Sequence, residues 1–401
     1  MPKRLEFDVV IIGAGAAGLM CAIEAGKRGR RTLVIDHANK IGKKILMSGG
    51  GRCNFTNLDV SATNYLSNNP HFCKSAFARY SPFHFLELVD KHNIPYREKT
   101  DSIATGQLFC EQKSADILNM LKAECSSAGV TIQSHTHCSN IRKRDGGGFK
   151  LSLENASSLQ QIQTHSLVIA SGGLSIPRMG ASNFGYQLAA QFNIPVLNTR
   201  PGLVGLHLNE SLQGSLASLS GLSLDVSVSC DGMTFSEAML FTHKGISGPA
   251  ILQISSYWQA EKPLEINLLP NYELSLLWEK WRLDNALLAT HLSKIMPRRL
   301  VELWLQEFDN LPTRQYSKLQ QSAIINKFHH WQPKVSNTDG YKTAEVTLGG
   351  VDTNAISSKT FAANSVAGLY FIGEVLDVTG WLGGYNFQWA WASGWCCGQV
   401  V

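Results

Sequence analysis

The chain has 401 residues, 36 basic against 31 acidic side chains, a net charge of +5 at pH 7, 44% hydrophobic and 17% charged residues. That balance excludes a disordered or polycationic chain, and no apolar run approaches the roughly 18–20 residues a membrane helix needs. A single core does not grow to this length, so two or three domains are expected.

The first informative stretch opens the chain. Phe7-Asp8-Val9-Val10-Ile11-Ile12 reads as a strand buried on both faces. It runs into Gly13-Ala14-Gly15-Ala16-Ala17-Gly18, then into helix-forming Leu19–Ala25, and a second apolar strand, Thr32–Ile35, ends at Asp36. Strand, glycine turn, helix, strand and terminal acid form the setting in which G-x-G-x-x-G indicates a dinucleotide site. Gly13 permits the turn, Gly15 lets backbone approach a pyrophosphate, and Gly18 lets the helix pack on the strand. The helix N-terminus offers free N–H groups to phosphate, and Asp36 is placed to accept from a ribose hydroxyl. Lys3-Arg4 before an apolar stretch imitates a leader peptide, but Asp8 and the glycines interrupt that stretch.

Met47-Ser48-Gly49-Gly50-Gly51-Arg52-Cys53-Asn54 follows a loop, and three consecutive glycines suit backbone pressed against a ligand. Arg52 is expected near phosphate and Asn54 near a polar ring edge. Cys53 beside Arg52 is either an activated thiolate or a buried neutral thiol. Residues 73–93 read as a helix broken at Pro82, and 114–127 as a second helix. A strand begins at Val130 and ends near Cys138, and Ile141–Asp145 and Phe149–Leu153 form a hairpin across Gly146–Gly148. Leu167–Ala170 is a buried strand emptying into Ser171-Gly172-Gly173, followed by a helix from Tyr186.

From Pro195 the texture changes. Short alternating runs to about residue 270 suggest a small antiparallel barrel, and 271–342 is helical in pattern. The five tryptophans between 258 and 331 are expected as packing residues, and His329-His330 as an exposed pair at a helix end with no third metal ligand nearby. No metal site is expected. α/β character returns at Thr343. Gly368–Ile372 is a strand ending in Gly373-Glu374; a loop with Asp377 and Gly383-Gly384 then leads into a helix beginning Tyr385-Asn386-Phe387. A helix N-terminus at Gly384 can stabilise negative charge on a reduced flavin ring.

These segments together resemble the two-dinucleotide-binding-domain flavoproteins, and specifically the YhiN/BaiN-like group of FAD-dependent oxidoreductases. The match is carried by Ser48–Asn57 (SGGGRCNFTN), Ala170–Gly173 with Pro177 and Gly180, Phe241–Leu252 (FTHKGISGPAIL) and Gly373–Gly394 (GEVLDVTGWLGGYNFQWAWASG). Two departures stand out. Thr360-Phe361-Ala362-Ala363-Asn364 replaces a Thr-Met-Glu-Ser-Lys of the group, and Val366-Ala367-Gly368 a Val-Pro-Gly. The resemblance implies an α/β fold: a Rossmann-like FAD-binding domain, three-layered with a mostly parallel sheet, formed by residues 1–194 and 343–401. An inserted domain, 195–342, would hold a small antiparallel β-barrel (195–270) plus helices (271–342).

The resemblance also implies non-covalent FAD. Together with the motifs, it leads us to expect the cofactor against Gly13, Gly15, Ala16, Ala17, Gly18, Asp36, His37, Lys43, Gly51, Arg52, Cys53, Asn54, Cys138, Ser171, Gly172, Gly373, Glu374, Asp377, Gly384, Tyr385, Asn386 and Phe387. His243, in the glycine-bearing Thr242–Gly245 loop, is the candidate catalytic proton donor; a structural histidine fits there equally well. No second G-x-G-x-x-G sits between a strand and a helix, so either NAD(P)H meets the flavin transiently or electrons come from elsewhere.

The expected function is an FAD-dependent oxidoreductase acting on a small or medium organic substrate, with NAD(P)H-linked reduction of an activated C=C bond as one form. The alternatives are an FAD-dependent tRNA-modifying enzyme and a non-catalytic flavin redox sensor. The modest charge does not favour a nucleic-acid partner. Nine cysteines, odd in number and without C-x-x-C spacing, in a chain with no recognisable leader point to free thiols and a cytoplasmic protein.

Overall fold

The computed structural model describes residues 5–100, 105–156 and 158–401; Lys3 and Arg4 lie outside them. It divides the chain into two units: residues up to Pro201 together with Glu345–Val401, and Gly202–Ala344.

The first unit is built on β1 (Leu5–Ile12), α1 (Ala16–Lys27), β2 (Thr32–Ile35), β3 (Thr131–Gln133), β4 (His137–Lys143), β5 (Phe149–Asn155), β6 (Ser158–Ile169), β7 (Leu369–Phe371) and α2 (Tyr385–Gly398). The strands β3-β2-β1-β6-β7 run parallel in that order. The amino-terminal half of β6 is longer than its parallel neighbours need, and there β5 and then β4 continue the sheet antiparallel. Continuous apolar runs make this arrangement: Val9, Val10 and Ile11 are wholly buried, as are Leu167, Val168 and Ile169, which is the pattern of central strands in a parallel sheet covered on both faces.

Register then sets the active edge. Ile12 pairs with both Ile35 and Ile169, Ile35 with Gln133, and Ile169 with Phe371. The strands therefore finish level, and the turns that follow them lie side by side at the carboxyl edge, where ligands bind in open α/β sheets.

Helices α1 and α2 pack closely, and glycine permits it. A Cβ on Gly394 would stand 2.4 Å from the Ala17 carbonyl oxygen, and one on Gly398 2.8 Å from that of Cys21. Cys396 and Cys397 fill this helix as buried free thiols.

The second unit holds six antiparallel strands in the order Glu265–Asn267, Ser223–Cys230, Met233–Phe241, Gly245–Ser247, Leu206–Leu208 and Val335–Thr338. The expected barrel is present in part. The strand Glu265–Asn267 at one end meets the chain just before the last strand at Ile266 and Trp331, which exchange backbone hydrogen bonds of 2.8 and 3.0 Å. Helices at Glu210–Leu216 and Pro249–Ser255 interrupt the stretch read as wholly β. Four α-helices follow within 271–342: Leu274–Trp281, Leu288–Leu292, Arg298–Trp304 and Lys318–His329. Trp258, Trp278 and Trp304 are buried, and the Trp278 and Trp304 indoles donate to the Thr313 and Lys327 carbonyls.

His329 corrects the sequence reading. It is buried, not exposed: the Leu274 N–H donates to its Nε2 at 3.2 Å, and Nδ1 lies 3.0 Å from Asn267 Oδ1. That arrangement needs the neutral ring, and burial lowers its pKa. A lowered histidine pKa contributes stability that is full above the ordinary range and lost as pH falls through the folded value. Thermal unfolding should therefore drop more steeply below about pH 6.5 in the natural protein than in His329→Gln; equal slopes would remove His329 from this account.

Candidate cofactor site

The turn after β1 is tightly packed. Gly13 has φ +113°, and a Cβ there would lie 2.2 Å from the Ala170 carbonyl oxygen at the end of β6. A Cβ on Gly18 would meet the Gly13 carbonyl at 1.9 Å, so α1 can leave the turn only with glycine at that place. Gly15 differs in kind. Its Cβ would meet no protein atom within 4 Å, and so nothing in the fold itself demands glycine there.

Asp36, at the end of β2, braces this turn. Its Oδ2 accepts the Ala14 N–H and its Oδ1 the Ala38 N–H, both at 2.8 Å. Each carboxylate oxygen keeps a second lone pair, so the bracing leaves capacity for a ligand hydroxyl. His37 beside it is half exposed, its ring 5.8 Å from that of His137. Cys138, next on β4, is a half-buried thiol pushed up to about 12 by burial. Ala16 and Ala17 form the first turn of α1, where N–H groups lack intrahelical partners.

At the ends of β6 and β7 the expected residues meet. A Cβ on Gly172 would stand 3.6 Å from Glu374 Oε2, and one on Gly373 2.9 Å from the Ala17 Cβ. Glu374 is held at three points: Lys44 Nζ at 2.7 Å from Oε2, and Ser175 Oγ–H at 3.0 Å and Thr347 N–H at 3.1 Å donating to Oε1. Lys44 also donates to Ser175 Oγ at 2.8 Å, and Thr347 Oγ1 accepts the Leu174 and Ser175 N–H groups. Sequence reading singled out Lys43 and passed over Lys44, Ser175 and Thr347. Two adjacent lysines give no signal of which one turns toward a strand end. Ser171 Oγ is buried and has no hydrogen-bond partner among the described residues.

The glycine tract forms a second cluster. Gly49, Gly50 and Gly51 have φ of 56°, 65° and 86°, which ends the helical turn begun at Lys43. A Cβ on Gly50 or Gly51 would meet nothing within 4 Å. Arg52 is exposed. Cys53 is fully buried and its thiol is pushed up to about 12 by burial, so it is a neutral packing group and not an activated thiolate.

Asn54 meets the Gln107 side-chain amide at 3.0 Å, and a Cβ on Gly384 would lie 2.3 Å from the Thr56 carbonyl oxygen. Asn54 and Thr56, just after the glycine tract, thus lie against the start of α2. Asn386 is spent on that loop: its Oδ1 accepts the Gly380 N–H at 2.8 Å, and its Nδ2 donates to the Gly380 carbonyl at 2.9 Å. Tyr385 is buried edge-on to Tyr65, while half-buried Phe387 stacks on Trp391 with centroids 5.6 Å apart. Asp377 is buried, accepts the Asn68 N–H at 2.7 Å, and has its pKa raised by that burial. His243 lies in the other unit, exposed in the turn before Gly245–Ser247 and without a hydrogen-bond partner among the described residues.

A long dinucleotide fits these groups. Glycine Cβ positions at 15, 50 and 51 open onto no protein atom, Ser171 Oγ is orphaned, and the first turn of α1 presents free N–H groups. Fold and site define a flavoprotein oxidoreductase with FAD as its cofactor. The chain belongs to the HI0933-like protein Rossmann domain family, whose model matches residues 7–400. It is 49% identical over 400 residues, 98% of each chain, to the ribosomal RNA dihydrouridine synthase of Escherichia coli (strain K12). The identity to the 3-dehydro-bile acid delta(4,6)-reductase of Clostridium scindens is 28%, again over 98% of both chains. A 3-ketosteroid-delta4-(5alpha)-dehydrogenase from Rhodococcus jostii RHA1 shares the fold, with a TM-score of 0.52 at 14% identity, over 99% of this chain and 98% of that one. Among the described residues no helix is long and apolar enough to cross a membrane.

Two variants separate the glycine roles. Gly15→Ala should melt within about 0.5 kcal/mol of the parent without cofactor yet purify with much less FAD, whereas Gly13→Ala should lose both fold and flavin. Full flavin content in Gly15→Ala would mean that no cofactor backbone lies there. Cys53 should resist iodoacetamide at neutral pH and become alkylated only on unfolding, as read by peptide mass spectrometry.

Proposed function

We propose that the protein reduces a carbon–carbon double bond conjugated to a carbonyl, with a uracil base of ribosomal RNA as substrate and a reduced nicotinamide as electron source. One observation carries this reading. Two relatives matched end to end bear names with different substrates, a ribosomal RNA nucleoside and a bile acid, but one chemistry: saturation of a double bond conjugated to a carbonyl. The RNA substrate is favoured because the relative that bears it is the nearer of the two, at 49% against 28% identity.

FAD, when bound, supplies the hydride and its two electrons. The chain's own groups bind and orient. Gly13–Gly18 and the start of α1 would hold the pyrophosphate, Asp36 the adenosine ribose, and Glu374 with Ser171 the central hydroxyls. The glycine tract and the first turn of α2 would bracket the ring. Lys44, paired to Glu374, fixes the position of that carboxylate. The mild net charge is compatible with an RNA partner. Acidic and basic side chains nearly balance in Gly202–Ala344, so the basic excess lies in the unit that carries the candidate site.

An anaerobic titration of the yellow protein with NADH and with NADPH tests the first half. One of them should bleach the visible flavin band. Ribosomal RNA transcribed in vitro, and so free of modified bases, should then restore the band and gain two hydrogens on a uridine, with a steep loss of binding as salt rises. Failure of both nicotinamides would remove the donor. Reoxidation by a small enone with none by RNA would replace the substrate class.

A further inference from the structure

The hairpin of β4 and β5 has a part that cofactor binding does not explain. β4 begins at the cofactor edge: the His137 ring lies 5.8 Å from that of His37, and a Cβ on Gly180 would lie 3.2 Å from His37 Nε2. From there the strand runs out to a turn rich in basic residues.

Between residues 142 and 150 stand Arg142, Lys143, Arg144 and Lys150 against Asp145 alone, a net charge of +3 in a chain whose total is +5. Arg142, Lys143 and Lys150 are exposed and have no ion-pair partner among the described residues, while Arg144 reaches Glu6 at 3.6 Å. Register sets Arg142 directly opposite Lys150. Like charges across a strand pair repel, so fold stability alone does not favour that placement. β4 is the last strand of its sheet, and cations on an edge strand block pairing with other chains. Lys150, however, lies on β5, one strand in from the edge, where that protection has no use for it. A polyanion gives both cations a purpose.

Beside them, between β4 and the helix Phe184–Gln191, runs a groove of about 190 Å³ whose walls include Asn140, Ile141, Phe184 and Gln187. A β-bulge shapes its rim. The ladder shifts between Ser139 and Arg142, Asn140 takes φ +51°, and Ile141 turns inward while Asn140 stays exposed. The Asn140 and Gln187 side-chain amides have no hydrogen-bond partner among the described residues, and Phe184 is half-buried. An aromatic ring with free amides beside it is what an unstacked base requires, for stacking and for the polar groups of its edge. The groove is below the roughly 300 Å³ of a site for a larger ligand, which suits a single base. The helix is also tied to the cofactor edge: a Cβ on Gly185 would lie 2.6 Å from Val375 Cγ2, one residue after Glu374.

We propose that this edge of the sheet docks a single-stranded segment of the RNA substrate. Arg142 and Lys150 hold phosphates, and the groove takes one base against Phe184, with Asn140 and Gln187 on its polar edge. The proposal rests on the RNA reading above and adds the surface that holds the strand while another of its bases reaches the flavin.

The test measures binding of the whole flavin-loaded protein to a fluorescein-labelled oligouridylate by anisotropy over a range of salt concentrations. The double variant Arg142→Gln, Lys150→Gln should flatten the slope of log affinity against log salt by about 1.4, the value for two phosphate contacts on a single strand. Its melting temperature should be no lower than the parent's, because a repulsion is relieved, and its FAD content unchanged. Phe184→Leu should weaken binding about 10-fold with the slope unaltered. Gln187→Ala, at an exposed helix position, should weaken it about 5-fold without touching the core. An oligouridylate carrying 4-thiouridine should crosslink under light to peptides from residues 137–150 or 184–191, as read by mass spectrometry.

A parent-like salt slope in the double variant, or crosslinks confined to other segments, overturns the docking surface and leaves the RNA reading standing. A double variant that precipitates yet keeps the parent slope makes the cations edge protection and overturns it as well. Duplex RNA that competes as well as the single strand removes the base from the groove. A parent with no affinity for the oligouridylate or for the ribosomal RNA transcript sinks the RNA reading, and this proposal with it.

Discussion

The close approach of Gly13 to Ala170 is the contact on which the rest of the first unit depends. Parallel strands that end level bring their exit turns together, and side chains there would collide. A Cβ at Gly13 would lie 2.2 Å from a carbonyl oxygen, and one at Gly18 only 1.9 Å from another. Glycine removes both clashes and so lets β1, β6 and the start of α1 share one edge. The N–H groups at the start of α1 are then left facing that edge, which suits a phosphate.

Around that edge, polar groups split into those that hold the protein and those left for a ligand. Asp36 clamps its own loop through two backbone N–H groups, Asp377 holds Asn68, and Asn386 holds Gly380. These are charge-assisted or amide contacts in half-buried surroundings, where leaving one partner unmade costs more than the bond contributes. The Lys44–Glu374–Ser175–Thr347 network joins four separate stretches of chain near the ends of β6 and β7. A cofactor docked on such a frame meets groups that need little reordering, which is where much of the affinity and catalytic precision of a preorganised site originates.

Much of this was legible in the residues. The dinucleotide turn could be read because its glycines each answer a local backbone demand, and the helix at 114–127 because its apolar spacing and flanking glycine are local signals. The second unit was less legible. Short strands are interrupted by helices at Glu210–Leu216 and Pro249–Ser255, and alternation over so few residues does not separate the two. His329 read as exposed because a helix-end histidine usually is; only the approach of Leu274 and Asn267 from distant sequence buries it.

By itself, the amino-acid order determined that this is an α/β flavoprotein with a dinucleotide turn, since strand hydrophobicity and glycine conformation act over a few neighbouring residues. The tertiary structure alone decided which of two adjacent lysines pairs with Glu374, and that Cys53 is a neutral packing thiol. Those outcomes depend on desolvation and on partners hundreds of residues away. Spacing along the chain carries no record of either.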